Sequence, residues 1–88
     1  MGIPNLQVAL DHSNRPDAVA AAVSVGHEVD IIEAGTVLLL EVGGEVVQTL
    51  RNIFPDKIIV ADTKCADAGG TVAKNVAKYG ADWMTCIC

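Results

Sequence analysis

The chain has 88 residues, 51% of them apolar, and a formal net charge of -5. That length supports one small domain. Its few lysines and arginines are scattered, which is unsuited to nucleic acid or an anionic membrane surface, and no apolar run approaches the roughly 18 residues that span a bilayer.

Leu6 to Leu10 reads as a first strand ending at Asp11. The following "NRPDAVAAAVSVGHE" predicts a helix, with Ser13 or Asn14 as cap, Pro16 in the first turn and Gly26 as the stop. Val29 to Ile32 predicts a second strand, ending at Glu33. Thr36 to Gly43 is either an apolar loop or a short extra helix. In "GGEVVQTLRNIFPD" the apolar residues Val46, Val47, Leu50, Ile53 and Phe54 recur at helical spacing, and Pro55 stops the run. Ile58 to Ala61 predicts a third strand, ending at Asp62. "GGTVAKNVAKYGAD" predicts a third helix stopped by Gly80, and Trp83 to Cys88 a fourth strand. Short β-branched runs suit strands buried on both faces. The alternation β-α-β-α-β-α-β means parallel strands joined by right-handed crossovers. The last strand has nothing after it to cover an apolar edge, so residues 1–88 are expected to be the first half of something larger, or to need a partner chain.

The first residues, Met-Gly-Ile-Pro-Asn, lack the features of a signal peptide, so the expected location is cytoplasmic. Cys65, Cys86 and Cys88 form an odd set without a disulfide spacing, and Cys86 and Cys88 are expected to be buried thiols. Paired zinc-binding motifs are absent.

Three strands run into a carboxylate: Asp11, Glu33 and Asp62. In parallel α/β folds the carboxyl ends of the strands are where ligands bind. Asp62 and Lys64 are two apart and share a face if the third strand continues through Lys64. Asp67 falls in the turn before the third helix, as a helix cap or as part of the charged cluster, and Gly69 and Gly70 follow without a phosphate-loop pattern. Glu33 and Asp62 suit a hard cation such as magnesium. A lysine beside it suits chemistry through an enolate, stabilising an oxyanion or moving a proton. Asp11 would orient that lysine or bind substrate hydroxyls. His27 reads as a surface residue; His12, next to Asp11, is left open.

"ADTKCADAGG", with its D-x-K-x-x-D spacing over Asp62, Lys64 and Asp67, together with "LQVALD", "VDIIEAGT" and "GADWMT", resembles the sugar-phosphate branch of the orotidine monophosphate decarboxylase suprafamily. The likeness is greatest to its 3-keto-L-gulonate 6-phosphate decarboxylases, with the 3-hexulose 6-phosphate synthases as close relatives. It implies an α/β fold of the (β/α)8 TIM barrel family, with this chain covering roughly the first four strands and three helices of a single domain. It also implies a homodimer with active sites at the subunit interface, and a magnesium-dependent lyase of ascorbate catabolism that acts on a phosphorylated keto sugar acid. By the same resemblance Glu33 and Asp62 bind magnesium, Lys64 stabilises the enediolate left by carbon dioxide, and Asp11 contacts substrate and lysine. Asp67 would serve the neighbouring subunit. The later-strand substrate residues and phosphate loops of that family have no counterpart in these 88 residues, so the chain alone is expected to be weakly active or a catalytically silent half barrel.

Overall fold

The computed structural model describes residues 6–67 and 69–86. Its elements are β1 (Gln7–Leu10), α1 (Arg15–Val25), a 3-10 turn (Gly26–Glu28), β2 (Ile31–Ala34), α2 (Thr36–Val42), α3 (Glu45–Ile53), β3 (Ile58–Cys65), α4 (Gly69–Lys78) and β4 (Trp83–Cys86). The four strands form one parallel sheet in chain order. This is the β/α alternation expected, with one more helix: Thr36–Val42 is helical rather than a loop. Ile87 and Cys88, expected in the last strand, lie outside the described residues.

Local chemistry explains the helix ends. The Asn14 side chain accepts from the Asp17 amide at 2.9 Å and caps α1, with Pro16 in its first turn. At the far end Gly26 must be glycine for a packing reason, because a Cβ there would meet the Phe54 ring at 2.3 Å. Gly80, at φ 105, adopts the left-handed conformation that ends α4.

The helices cover one face of the sheet. Ile32, Ala34, Ile59, Ala61 and Leu10 from the strands pack with Ala18, Ala22, Leu38, Val46, Val47, Leu50, Phe54 and Val76 from the helices. Val46, Val47 and Leu50 of α3 are fully buried, each worth about 1.5–3 kcal/mol in removed apolar surface. Side chains alternate along a strand, so the rows through Gln7, Ala9 and Glu33 point to the opposite face. There Gln7, Ala9 and Trp83 are exposed. The expectation of strands buried on both faces therefore holds for most of β2 and the first half of β3, and fails for β1 and β4. Cys86 is likewise exposed rather than buried, because it sits on β4, which pairs with β3 alone among the described strands.

At the amino-terminal edge of the sheet, Arg51 of α3 ties three segments together. Its guanidinium donates to the carbonyls of Gly80 at 2.9 Å, Lys57 at 2.8 Å and Pro55 at 3.1 Å. It also pairs with Asp82, whose carboxylate accepts the Ile59 amide at 2.9 Å. These contacts fix where β3 and β4 begin. Replacing Arg51 by Ala leaves several carbonyls and a charge without their donor, so Arg51→Ala should lower unfolding free energy by about 2–3 kcal/mol. Urea denaturation measures it, and an unchanged midpoint would show that the clasp is dispensable.

Candidate active site

The charged residues gather at the carboxyl end of the strands. Glu33 lies within β2, one residue before its end, paired in register with Ala9 and Val60. Asp62 follows Val60 by two residues and Asp11 follows Ala9 by two, so alternation carries all three acids toward the uncovered face. The strand ends differ from expectation: β2 is Ile31–Ala34 and contains Glu33, and β3 runs through Asp62 and Lys64 to Cys65.

Asp62 and Lys64 meet, but not through a regular pleat. Between Ala61 and Cys65 the pairing with β4 shifts register, and Lys64 adopts φ 48, the one positive φ outside glycine among the described residues. A left-handed residue with a Cβ costs roughly 1–2 kcal/mol, so the surrounding contacts must hold it. The Lys64 ammonium donates to Asp62 Oδ2 at 2.6 Å and to the Thr36 hydroxyl at 3.0 Å. The Thr36 hydroxyl donates in turn to the Asp62 carbonyl at 2.6 Å, which ties the start of α2 to β3. Thr85 of β4 donates to Asp62 Oδ1 at 2.5 Å. Asp62 is thus held at both carboxylate oxygens and is 15% exposed, while the Lys64 side chain is 55% exposed.

The electrostatics follow from this packing. Hydrogen bonds from Lys64 and then Thr85 hold the Asp62 carboxyl below its usual range. The bond to Asp62 raises Lys64 further above its usual range, so the ammonium stays charged. Glu33 moves the other way. Burial raises it first, then the nearby charges of Asp62 and Asp11, against the opposing pull of Lys64 and a 2.8 Å bond from Gln7. Asp11 acts on Lys64 through its charge and is held close by Gly35, where a Cβ would stand 1.9 Å from Asp11 Oδ1.

Asp11, Glu33, Asp62 and Lys64 therefore share one electrostatic site. Asp67 is exposed beyond the end of β3, with its carbonyl accepting the Cys65 thiol at 2.8 Å. Asp67, read as a possible helix cap, stands two residues before the start of α4 at Gly69, and the residue between them lies outside the described residues. His12 is half-buried, and its Nδ1 is enclosed without a hydrogen-bond partner among the described residues. His27 is exposed, edge-on to Phe54 with ring centroids 6.4 Å apart. Thr36 and Thr85 were not anticipated. Both lie in the motifs "VDIIEAGT" and "GADWMT", yet threonine at a helix start or in a strand is ordinary, so neither carried a signal of its own.

Among the described residues no three His, Cys, Asp or Glu side chains form a metal cage. Magnesium does not require one, because it binds through one or two carboxylates and keeps several waters. Burial and then the charges of Asp62 and Asp11 raise Glu33; a divalent cation would relieve the second of these, and the carboxylates of Glu33 and Asp62 are of the donor type the ion takes.

Residues 4–88 match the family described as Orotidine 5'-phosphate decarboxylase / HUMPS. The chain is 51% identical, over all 88 residues, to an Escherichia coli 3-keto-L-gulonate-6-phosphate decarboxylase, and spans 40% of that protein. The crystal structure of KGPDC from Streptococcus mutans superposes with a TM-score of 0.97 at 77% identity, over 99% of this chain and 41% of that one. A 3-hexulose-6-phosphate synthase superposes with a TM-score of 0.92 at 41% identity, over 94% of this chain and 40% of that one. The chain thus spans about two fifths of the length of the relatives it matches.

The raised Glu33 carboxyl binds its proton more tightly in the folded state than in the unfolded chain. Ionised Glu33 therefore destabilises the metal-free fold at neutral pH, and that penalty disappears once pH drops below the ordinary glutamate range. Glu33→Gln should stabilise the metal-free chain at pH 7 by less than about 1 kcal/mol, with the gain gone below about pH 4. Denaturation at the two pH values checks this; a gain of equal size at both would point to packing instead of charge.

Proposed function

The chain belongs to the Orotidine 5'-phosphate decarboxylase / HUMPS family, and from that premise we propose that it supplies the metal-and-lysine side of a 3-keto-L-gulonate 6-phosphate decarboxylase. The observation that carries this reading is the state of Lys64. Its ammonium is held charged by Asp62 and propped by Thr36, beside Glu33 and Asp11. An ammonium has three donors; two are engaged within the described residues, and the third is available on an exposed side chain. That is what a developing substrate oxyanion requires.

In the proposed reaction the bond between the substrate carboxylate and its neighbouring carbon breaks and carbon dioxide leaves. The electron pair stays behind as an enediolate, and protonation gives L-xylulose 5-phosphate. Lys64 faces the growing negative charge and stabilises it. Asp62 keeps Lys64 protonated and aimed. Asp11 lies at the rim to accept from a substrate hydroxyl. Magnesium, held by Glu33 and Asp62, would supply further positive charge for the substrate oxygens. Asp67, exposed past β3, would reach the site of a second copy in a homodimer. A cytoplasmic location fits a metabolic lyase in which no helix among the described residues is long and apolar enough to cross a membrane.

The synthase reading, aldol addition of formaldehyde to ribulose 5-phosphate, has one observation in its favour: the same elements superpose closely on a synthase. Both reactions pass through a similar enediolate, so both need this lysine. The test is carbon dioxide release from 3-keto-L-gulonate 6-phosphate with magnesium, by a protein carrying this chain as its first four strands. Lys64→Ala should lower kcat by at least about 100-fold, and chelation of magnesium should abolish turnover. Release that survives Lys64→Ala removes the lysine from the mechanism. Formaldehyde consumption without decarboxylation would favour the synthase.

A further inference from the structure

Three consecutive residues of β3 stand opposite a single residue of β4. Ala61 pairs with Met84 and Cys65 with Cys86, so Asp62, Thr63 and Lys64 share Thr85 as their partner. Thr85 bonds to all three. Its hydroxyl donates to Asp62 Oδ1 at 2.5 Å and accepts the Lys64 amide at 3.0 Å. Its carbonyl accepts the Thr63 hydroxyl at 2.9 Å. We propose that Thr85 is a positioning residue for the reaction: it sets the bulge that turns Lys64 onto Asp62 and presents the ammonium to the substrate. The inference rests on the decarboxylase reading for what Lys64 does, though not for how Lys64 is held.

The two partners of the Thr85 side chain ask for opposite things. Asp62 Oδ1 accepts a proton and the Lys64 amide gives one. One hydroxyl satisfies both, because it carries one donor and two lone pairs. Valine has nearly the same shape and can do neither. Lys64 holds the one left-handed backbone outside glycine among the described residues, and its amide is the group anchored by Thr85. Without that anchor the Lys64 amide loses its bond to Thr85, and the backbone can relax toward a regular pleat, in which Asp62 and Lys64 still share a face but not their present 2.6 Å contact. Strained backbone at a site of chemistry persists only when its surroundings over-determine it, and here Thr85 supplies three of those contacts from one position.

The test compares Thr85→Val and Thr85→Ser with the unaltered protein. Amide hydrogen exchange, read by NMR without substrate or metal, should be at least about tenfold faster at Lys64 in Thr85→Val and nearly unchanged in Thr85→Ser, with Ile59 and Val60 protected in both. In turnover, Thr85→Val should lower kcat by about 10- to 100-fold with little change in KM, and Thr85→Ser should recover most of it. Unchanged Lys64 exchange in Thr85→Val overturns the proposal whatever the activity. Loss of protection at Ile59 and Val60 as well, or a fall confined to KM, also overturns it, because the residue would then serve the sheet or ground-state binding. If Lys64 exchange accelerates as expected while the unaltered protein releases no carbon dioxide, the placement by Thr85 stands and the decarboxylase reading falls.

Discussion

The parallel register of the sheet is the constraint from which the site follows. Leu10, Ala34, Ala61 and Met84 form one row across all four strands, and Ala9, Glu33, Val60 and Trp83 form the row before it. Adjacent rows face opposite ways. The helices bury the first row and its equivalents, so the second row is left to carry polar chemistry. Because every strand runs in the same direction, the residues that follow these rows gather at one end of the sheet. Asp11 and Asp62 are such residues, and Glu33 stands two rows behind them, on the same face. Three separate segments thus deliver charge to one place without any long-range design beyond direction and register.

Collecting acids in this way has an electrostatic cost, and Asp62 and Glu33 meet it differently. Asp62 is the most enclosed of the pair it forms with Lys64 and the most supported, so its charge is favoured. Among the described residues Glu33 is hydrogen-bonded by the Gln7 amide, and it bears both burial and repulsion. The site is therefore polarised: the Asp62 carboxyl is held below its usual range and the Glu33 carboxyl above it. Opposite shifts on neighbouring acids are typical where groups have separate tasks. Asp62 is bonded to Lys64 and Thr85, whereas Glu33 is bonded by Gln7 and is the carboxylate whose charge the site opposes.

Much of this was legible in the sequence because it is local. Apolar runs closing on Asp11, Glu33 and Asp62, the Asn14 cap, and the stops at Gly26 and Gly80 all depend on neighbours a few residues away. The shared face of Asp62 and Lys64 was also inferred, but for an incomplete reason. Simple alternation would place them on one face; the structure brings them into contact through a bulge whose partner, Thr85, is 21 residues from Lys64. No periodicity within β3 reports a residue that distant. The same holds for Thr36, whose bond to Asp62 spans 26 positions. Helix α2 was ambiguous because Thr36 to Gly43 is too short and too uniformly apolar to show a helical face. Cys86 misled because an apolar strand segment says nothing about whether its outer face is covered.

The division of labour within the site explains why decarboxylase and synthase look so alike here. In the proposed reading each reaction creates negative charge on an oxygen next to the bond that breaks or forms, and each would call for the same response: positive charge at that oxygen, from an aimed ammonium and the acids that hold it. Those demands concern charge and geometry at the reacting oxygens, not the identity of the electrophile, carbon dioxide leaving in one case and formaldehyde arriving in the other. On that reading the first four strands answer the shared demand. Superposition at TM-scores of 0.97 on KGPDC and 0.92 on a synthase is what that logic leads one to expect. Discrimination between the two must then rest on groups that touch the departing or attacking carbon. None of Asp11, Glu33, Asp62 or Lys64 needs to differ for it, so a change in reaction can occur while the Asp62–Lys64–Thr85 arrangement stays as it is.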